Sequence, residues 1–240
     1  MFDTYEPIGI ISTLDGVIES LLHDFVFKET RVENSFTFYH GFINNRRVIM
    51  VRCAAGKINA AICTTLLIRT FAIKSCILVG TAGGLLHKQK CGDLVLARDV
   101  VCHDMDATRL GYPPGTVPGL NLRAIPCDKN LLEFAFASCP VLLGVKAESG
   151  RILTGDQFIT HPQRITYLQT LYNGACVDME SFAVAQTCCL MAVPFGVIRT
   201  IAERTNGKFV RQYAVFAQLA AVNLARFLRE MINQYPAFPF

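Results

Sequence analysis

Short apolar, β-branched runs alternate along the chain with longer segments whose apolar residues recur at helical spacing. Strands are expected over Ile8 to Ser12, Arg47 to Cys53, Ser75 to Gly80, Asp93 to His103, Lys146 to Thr154, Gly174 to Val177 and Phe195 to Ile201. Helical periodicity marks Asp15 to His23, Ile58 to Ala72, Asn130 to Ala137, Pro162 to Leu171, Ser181 to Met191 and Arg211 to Tyr235. This alternation predicts an α/β fold with a largely parallel sheet covered by helices on both faces. Ligands of such a sheet bind at the carboxyl ends of its strands. With no linker, repeat or low-complexity block, residues 1–240 are expected to form one domain.

Composition narrows the class. At 240 residues, 52% hydrophobic and 18% charged, the chain can bury a large core. The net charge of +4 is spread thinly, and its densest basic pair, Arg46-Arg47, has no interleaved aromatics, so nucleic acid is not expected as a partner. The segment Met1 to Pro7 carries two acids and no basic stretch, unlike a signal peptide. Apolar runs such as Phe182 to Leu190 are too short to cross a bilayer, which leads to the expectation of a soluble, cytoplasmic protein with no membrane partner. The ten cysteines fall in apolar segments, as at Cys63, Cys76 and Cys176, and read as small buried hydrophobes. No C-x-x-C occurs and Cys188-Cys189 lacks a neighbouring histidine, so neither a metal nor another cofactor is expected. His103-Asp104 reads as a hydrogen-bonded pair that shapes a loop.

Three segments carry chemistry. Val177-Asp178-Met179-Glu180 closes an apolar stretch and opens the helical run from Ser181. A carboxylate at such a junction can accept two hydrogen bonds from a sugar diol, although a lone acid there is better explained by the positive end of the helix. In apolar surroundings Asp178 and Glu180 need donors from protein, water or ligand. Val79-Gly80-Thr81-Ala82-Gly83-Gly84-Leu85 reads as a glycine-rich turn where the backbone can approach a ligand. It matches neither a dinucleotide fingerprint nor a Walker loop. A second acidic strand end, Arg199-Thr200-Ile201-Ala202-Glu203, lets two separated acids divide roles between a sugar and a leaving group.

With Gly9-Ile10-Ile11, Gly56-Lys57, His103-Asp104-Met105-Asp106 and Thr154-Gly155-Asp156-Gln157-Phe158-Ile159, these segments resemble the nucleoside phosphorylase and nucleosidase superfamily nearly end to end. Within it the chain is most similar to the bacterial 5'-methylthioadenosine/S-adenosylhomocysteine nucleosidases and the related aminodeoxyfutalosine nucleosidases. The resemblance implies a single-domain nucleoside phosphorylase-like fold, with a twisted mixed central sheet flanked by helices. It implies that Glu180 grips the ribose 2'- and 3'-hydroxyls beside the Met179 backbone, with Asp178 and Gly83 also in the substrate site. Phe158 would stack on the purine and Ile159 would contribute backbone hydrogen bonds. Thr81 would lie near the ribose and the attacking water, and Tyr213 would cover the sugar and its 5' substituent. The segment Met105 to Pro118 resembles a loop that one subunit lends to its neighbour's 5' pocket, implying a homodimer.

Two positions depart from the family pattern. The purine-protonating position, usually an aspartate preceded by serine, is Ala202-Glu203 here, one methylene longer. The family's water-activating glutamate aligns with Val17, leaving Asp15 and Glu19 as the nearest carboxylates and Asp15 as the candidate. Phosphorylases of the superfamily commonly carry an arginine just before the glycine-rich turn, where this chain has Ile77-Leu78-Val79, so water is the expected acceptor. The expected reaction is hydrolysis of the N-glycosidic bond of a 5'-modified purine nucleoside. Glu203 would protonate the leaving base while Glu180 favours an oxocarbenium-like sugar. Candidate substrates are methylthioadenosine, S-adenosylhomocysteine and 6-amino-6-deoxyfutalosine, the last cleaved by related enzymes in an alternative menaquinone route. A catalytically impaired nucleoside-binding protein and a phosphate-dependent phosphorylase are the competing readings.

Overall fold

The computed structural model describes residues 6–204 and 213–234, without the side chains of residues 27–28, 203–204 and 213–215. Its strands are β1 Ile8–Ser12, β2 Val26–Glu33, β3 Phe36–Ile43, β4 Arg46–Arg52, β5 Ser75–Gly84, β6 Leu94–Cys102, β7 Ala124–Pro126, β8 Ala147–Thr154, β9 Cys176–Asp178 and β10 Phe195–Arg204. Its helices are α1 Asp15–Leu22, α2 Lys57–Phe71, α3 Lys129–Ser138, α4 Pro162–Tyr172, α5 Ser181–Leu190 and α6 Tyr213–Gln234. Every strand and helix expected from the sequence is present among the described residues, while Arg211 and Tyr235, the ends expected for the last helix, lie outside them. Three strands were not expected: β2 and β3, which form an antiparallel hairpin, and the short β7 on the flank of β6. Asn44 and Asn45, both with positive φ (48° and 63°), turn β3 back onto β4, the geometry that matches strand twist in a tight hairpin.

Alternation of side chains divides the core into layers. In β1, β4 and β5, Ile10, Val48, Met50, Ile77 and Val79 face one cluster with Val17, Ile18 and Leu21 of α1 and Leu224, Phe227 and Leu228 of α6. Their chain neighbours Ile11, Ile49, Val51, Cys76 and Leu78 face the other, with Cys63 and Leu67 of α2 and Val184 and Cys188 of α5. This two-residue period is the pleat, and a sheet buried on both faces needs apolar residues at successive positions. Cys63, Cys76 and Cys176 are fully buried. No helix among the described residues is long and apolar enough to cross a membrane.

The sheet is mixed rather than largely parallel. β1 pairs in parallel with β4 and β5, β5 with β10, and β8 with β6 and β9, while β2–β3, β3–β4, β5–β9, β6–β7 and β6–β10 are antiparallel. Because β10 bonds to both β5 and β6, and β9 to both β8 and β5, the five strands β5, β10, β6, β8 and β9 close into a ring. Strands β1, β4, β3 and β2 extend from β5 as an open wing.

Ring closure explains the glycines. Gly83 pairs with Val177 of β9 and with Glu203 of β10, and Gly84 with Cys176 and Arg204, so the end of β5 is held between two strands. The segment read from sequence as a turn is therefore strand, and none of Gly80, Gly83 and Gly84 has positive φ. A register shift between Ile201 and Glu203 places a bulge at Ala202. Bulges bend a strand and re-aim the side chains that follow.

Candidate active site

The carboxyl ends of β5, β9 and β10 and the segment after β8 surround a cavity of about 470 Å³, a volume in the range of small-ligand sites. Thr81 and Gly83 line it from β5, Asp178, Met179 and Glu180 from the β9–α5 junction, and Phe158 and Ile159 from the segment after β8. Seven of the residues expected at a nucleoside site thus share one wall. Thr13, Arg52, Ala55, Gln157 and Ala202 complete much of it and carry no sequence-derived role.

The chemistry centres on a buried triad. Arg199, fully buried on β10, donates from Nε to Asp178 Oδ2 at 2.7 Å and from Nη2 to Glu180 Oε2 at 3.2 Å. Asp178 is saturated: Oδ1 also accepts from Thr154 Oγ1 at 2.7 Å and from the amides of Glu180 and Ser181, and Oδ2 from Ser181 Oγ. Those two amides open α5, so Asp178 does for this helix what a capping residue does. Asp178 therefore lines the cavity with its acceptor sites already taken by Arg199, Thr154 and the start of α5.

Glu180 differs. Oε2 has Arg199 and Oε1 accepts the Gly56 amide at 3.1 Å, while a carboxylate offers about four lone-pair sites. With the Met179 amide also acting on the carboxylate, Glu180 still keeps acceptor capacity toward the cavity. Burial pushes the Glu180 carboxyl above the usual glutamate range, and Asp178 adds to this, against the opposing pull of Arg199 and the Gly56 amide. Gly56 presents that amide with φ of 103°, a conformation glycine adopts without strain. Gly80 is required for a different reason. A Cβ there would collide with Thr13 Oγ1 and Arg199 Nη1, so the glycine makes room for the guanidinium.

A polar network holds the segment after β8. Lys57 Nζ donates to Asp104 Oδ1 at 2.6 Å, the Asp156 amide to Asp104 Oδ2 at 2.9 Å, and the Lys57 amide to Asp156 Oδ1 at 2.9 Å. Burial would raise the Asp104 carboxyl, but its bonds to Lys57, Cys102 and Asp156 hold it below the usual aspartate range. Asp104 thus shapes the loops as expected, with Lys57 rather than His103 as its partner. His103 is buried and held below its ordinary pKa chiefly by that burial, and neither ring nitrogen has a hydrogen-bond partner among the described residues.

The remaining expectations are placed as follows. Asp15 begins α1 but lies off the cavity wall, exposed, with Oδ1 3.1 Å from Arg52 Nε. It is not among the described residues that line the cavity. Val17, at the family's acid position, is fully buried against α6 and cannot be exchanged for an acid without placing charge in that core. Backbone pairing sets Glu203 opposite Gly83, and Tyr213 opens α6, but both side chains lie outside the described residues. Arg199 was missed as a site residue. Its signal was a lone charge inside the apolar run Val197 to Ile201.

The profile of the Phosphorylase superfamily matches residues 7–233. The 5'-methylthioadenosine/S-adenosylhomocysteine nucleosidase of Anoxybacillus flavithermus is 34% identical over 229 residues, spanning 95% of this chain and 98% of its own. Its counterpart from Psychromonas ingrahamii is 33% identical over 227 residues, spanning 94% and 98%. Among solved structures, the Neisseria meningitidis 5'-methylthioadenosine/S-adenosylhomocysteine nucleosidase with methylthio-immucillin-A matches with a TM-score of 0.91 at 29% identity, over 96% of this chain and 100% of that one. The futalosine hydrolase of Helicobacter pylori matches with a TM-score of 0.89 at 26% identity, over 96% and 99%.

Proposed function

Because the chain belongs to the phosphorylase superfamily, we propose that it is a purine nucleosidase, hydrolysing the N-glycosidic bond of a 5'-modified purine nucleoside. The observation that carries this reading is Glu180, buried at the cavity wall with acceptor capacity left toward the cavity and a cation behind it. A vicinal diol presents two donors to such a group. Phe158 and Ile159 take the purine on one side, and Thr81 lies beside the ribose and the attacking water.

As the glycosidic bond breaks, positive charge grows on the sugar, and the ionised Glu180 stabilises it from the diol side. Glu203 donates a proton toward the purine and makes it a better leaving group. Water is the acceptor. Ile77-Leu78-Val79, where a phosphate-binding arginine would stand, is fully buried in the core. The chain acts as a homodimer whose segment Met105 to Pro118 reaches the neighbouring 5' pocket. In support, Leu110 on the turn Thr108–Leu110 is 74% exposed.

Methylthioadenosine, S-adenosylhomocysteine, 6-amino-6-deoxyfutalosine and futalosine, each incubated with purified protein with and without phosphate, test the reading. Free base and free sugar without phosphate are expected. A sugar 1-phosphate formed only with phosphate identifies a phosphorylase instead. Tight binding with no base release identifies a binding protein.

A further inference from the structure

We infer that Arg52 is a specificity-determining residue, which selects purine nucleosides whose 5' arm ends in a carboxylate. The inference rests on the purine nucleoside reading above. The residues of the cavity follow the order of the strands that carry them: Phe158 and Ile159 after β8, Glu180 after β9, Thr81 in β5, Thr13 after β1 and Arg52 at the end of β4. Adjacent strands lie about 4.8 Å apart, so the β4 end of the cavity is roughly 14 Å along the sheet from β9. A nucleoside with its base toward β8 and its diol on Glu180 directs C5' away from the base, toward β1 and β4. Whatever substituent it carries arrives beside Ala55 and Arg52.

Charge decides what that substituent is. The acids of the wall, Asp178 and Glu180, are met by Arg199 from behind, which is fully buried and does not face the cavity. Arg52 is the one cation among the described wall residues. Its single ion-pair partner among the described residues is Asp15, through Nε, and this pair is open to water at 46% and 68% side-chain exposure. An exposed pair of this kind holds weakly, so Asp15 does not sequester the guanidinium. The terminal Nη groups keep their donors, in the planar fork that matches a carboxylate. One guanidinium fits a monoanion. Ala55, with its single methyl beside Arg52, leaves space for the arm.

Asp15 then competes with the substrate for Arg52, and the two residues act in opposite directions. The decisive probes are two adenosines of nearly equal size, with 5'-butylthio and 5'-(3-carboxypropyl)thio arms. In the wild type the carboxylate is preferred. Arg52→Met lowers the kcat/KM ratio of carboxylate to butyl substrate by about tenfold or more, through KM, and Arg52→Lys restores part of it. Asp15→Asn raises the same ratio. A purely structural role would move both substrates and both variants together. An unchanged ratio in Arg52→Met overturns the inference, as does loss in that variant of a phosphate-dependent rate, which would assign Arg52 to a phosphate co-substrate. If the wild type releases base from neither probe, the nucleosidase reading fails by itself. Calorimetric affinities of the same two probes for wild type and Arg52→Met then decide the role of Arg52 by the same ratio.

Discussion

Arg199 Nη2 stands 3.2 Å from Glu180 Oε2 with both side chains withdrawn from water, so the acid that faces the ligand is backed by a cation the ligand never meets. A carboxylate so enclosed would otherwise be driven neutral by its own desolvation. The same guanidinium holds Asp178, and through it the start of α5. One arginine thereby sets the position and the charge of Glu180.

Arg199→Met should cost about 3–5 kcal/mol of stability, because it leaves Asp178 and Glu180 buried without their cation. Denaturant unfolding reads this directly. A loss within the scatter of ordinary surface substitutions would show that the acids find other partners.

Glu180→Gln should lose about 2–4 kcal/mol of transition-state stabilisation with the fold intact, since Arg199 keeps Asp178. The pH dependence has two opposite signs. Burial raises the folded pKa of Glu180, so its proton is held more tightly folded than unfolded, and acidification through the raised value favours the folded state at this group. Activity needs the ionised form and falls over the same interval. The acid limb of kcat/KM should therefore lie above the ordinary glutamate range, and it should vanish from whatever residual rate Glu180→Gln retains. An acid limb at the ordinary value would remove Glu180 from the ionisation that controls turnover.

Glu203→Ala should abolish or greatly slow release of an ordinary purine while sparing a substrate whose leaving group needs little protonation. Equal losses on the two substrates would make Glu203 a structural residue.

Gly80→Ala should damage both folding and turnover, because the added methyl meets Thr13 Oγ1 and the Arg199 guanidinium, which cannot shift without breaking its bonds to the acids. Thermal unfolding and base release measured together check this. Stability lost with full activity would place the strain away from the triad.

Much of this architecture is legible in the chain, and its gaps have physical causes. Buried strands such as Ile8–Ser12 announce themselves because both faces are apolar. The strand Val26–Glu33 does not: it lies at the sheet edge and places Lys28, Glu29, Arg31 and Glu33 among its apolar residues. The turn Asn34-Ser35, with Asn34 at φ of 53°, was its available signal. The glycine-rich segment of β5 was misread because glycine signals conformational freedom and close approach with the same letter, and at Gly80 only the second applies. Glu180 and its wall neighbours were found from their junction position. Arg199 was not, because its partners lie 21 and 19 residues away in sequence and meet it only through the pairing of β5 with β9 and β10. The alignment of the family's acid position with Val17 led to the neighbouring Asp15, which the structure pairs with Arg52 in the open.

The ring of five strands has a consequence for how this protein can change over time. Phe158, Glu180, Thr81 and Ala202 stand on or beside β8, β9, β5 and β10, each paired on both sides, whereas Arg52 belongs to a wing whose strand pairing to the ring, among the described strands, runs through β1. Substitutions in the wing can reshape the receptor for the substrate's arm while the bond-breaking half stays rigid. Divergence within such a lineage should therefore concentrate on one side of the molecule, with new substrates arising by retailoring the wing around an unaltered chemical engine.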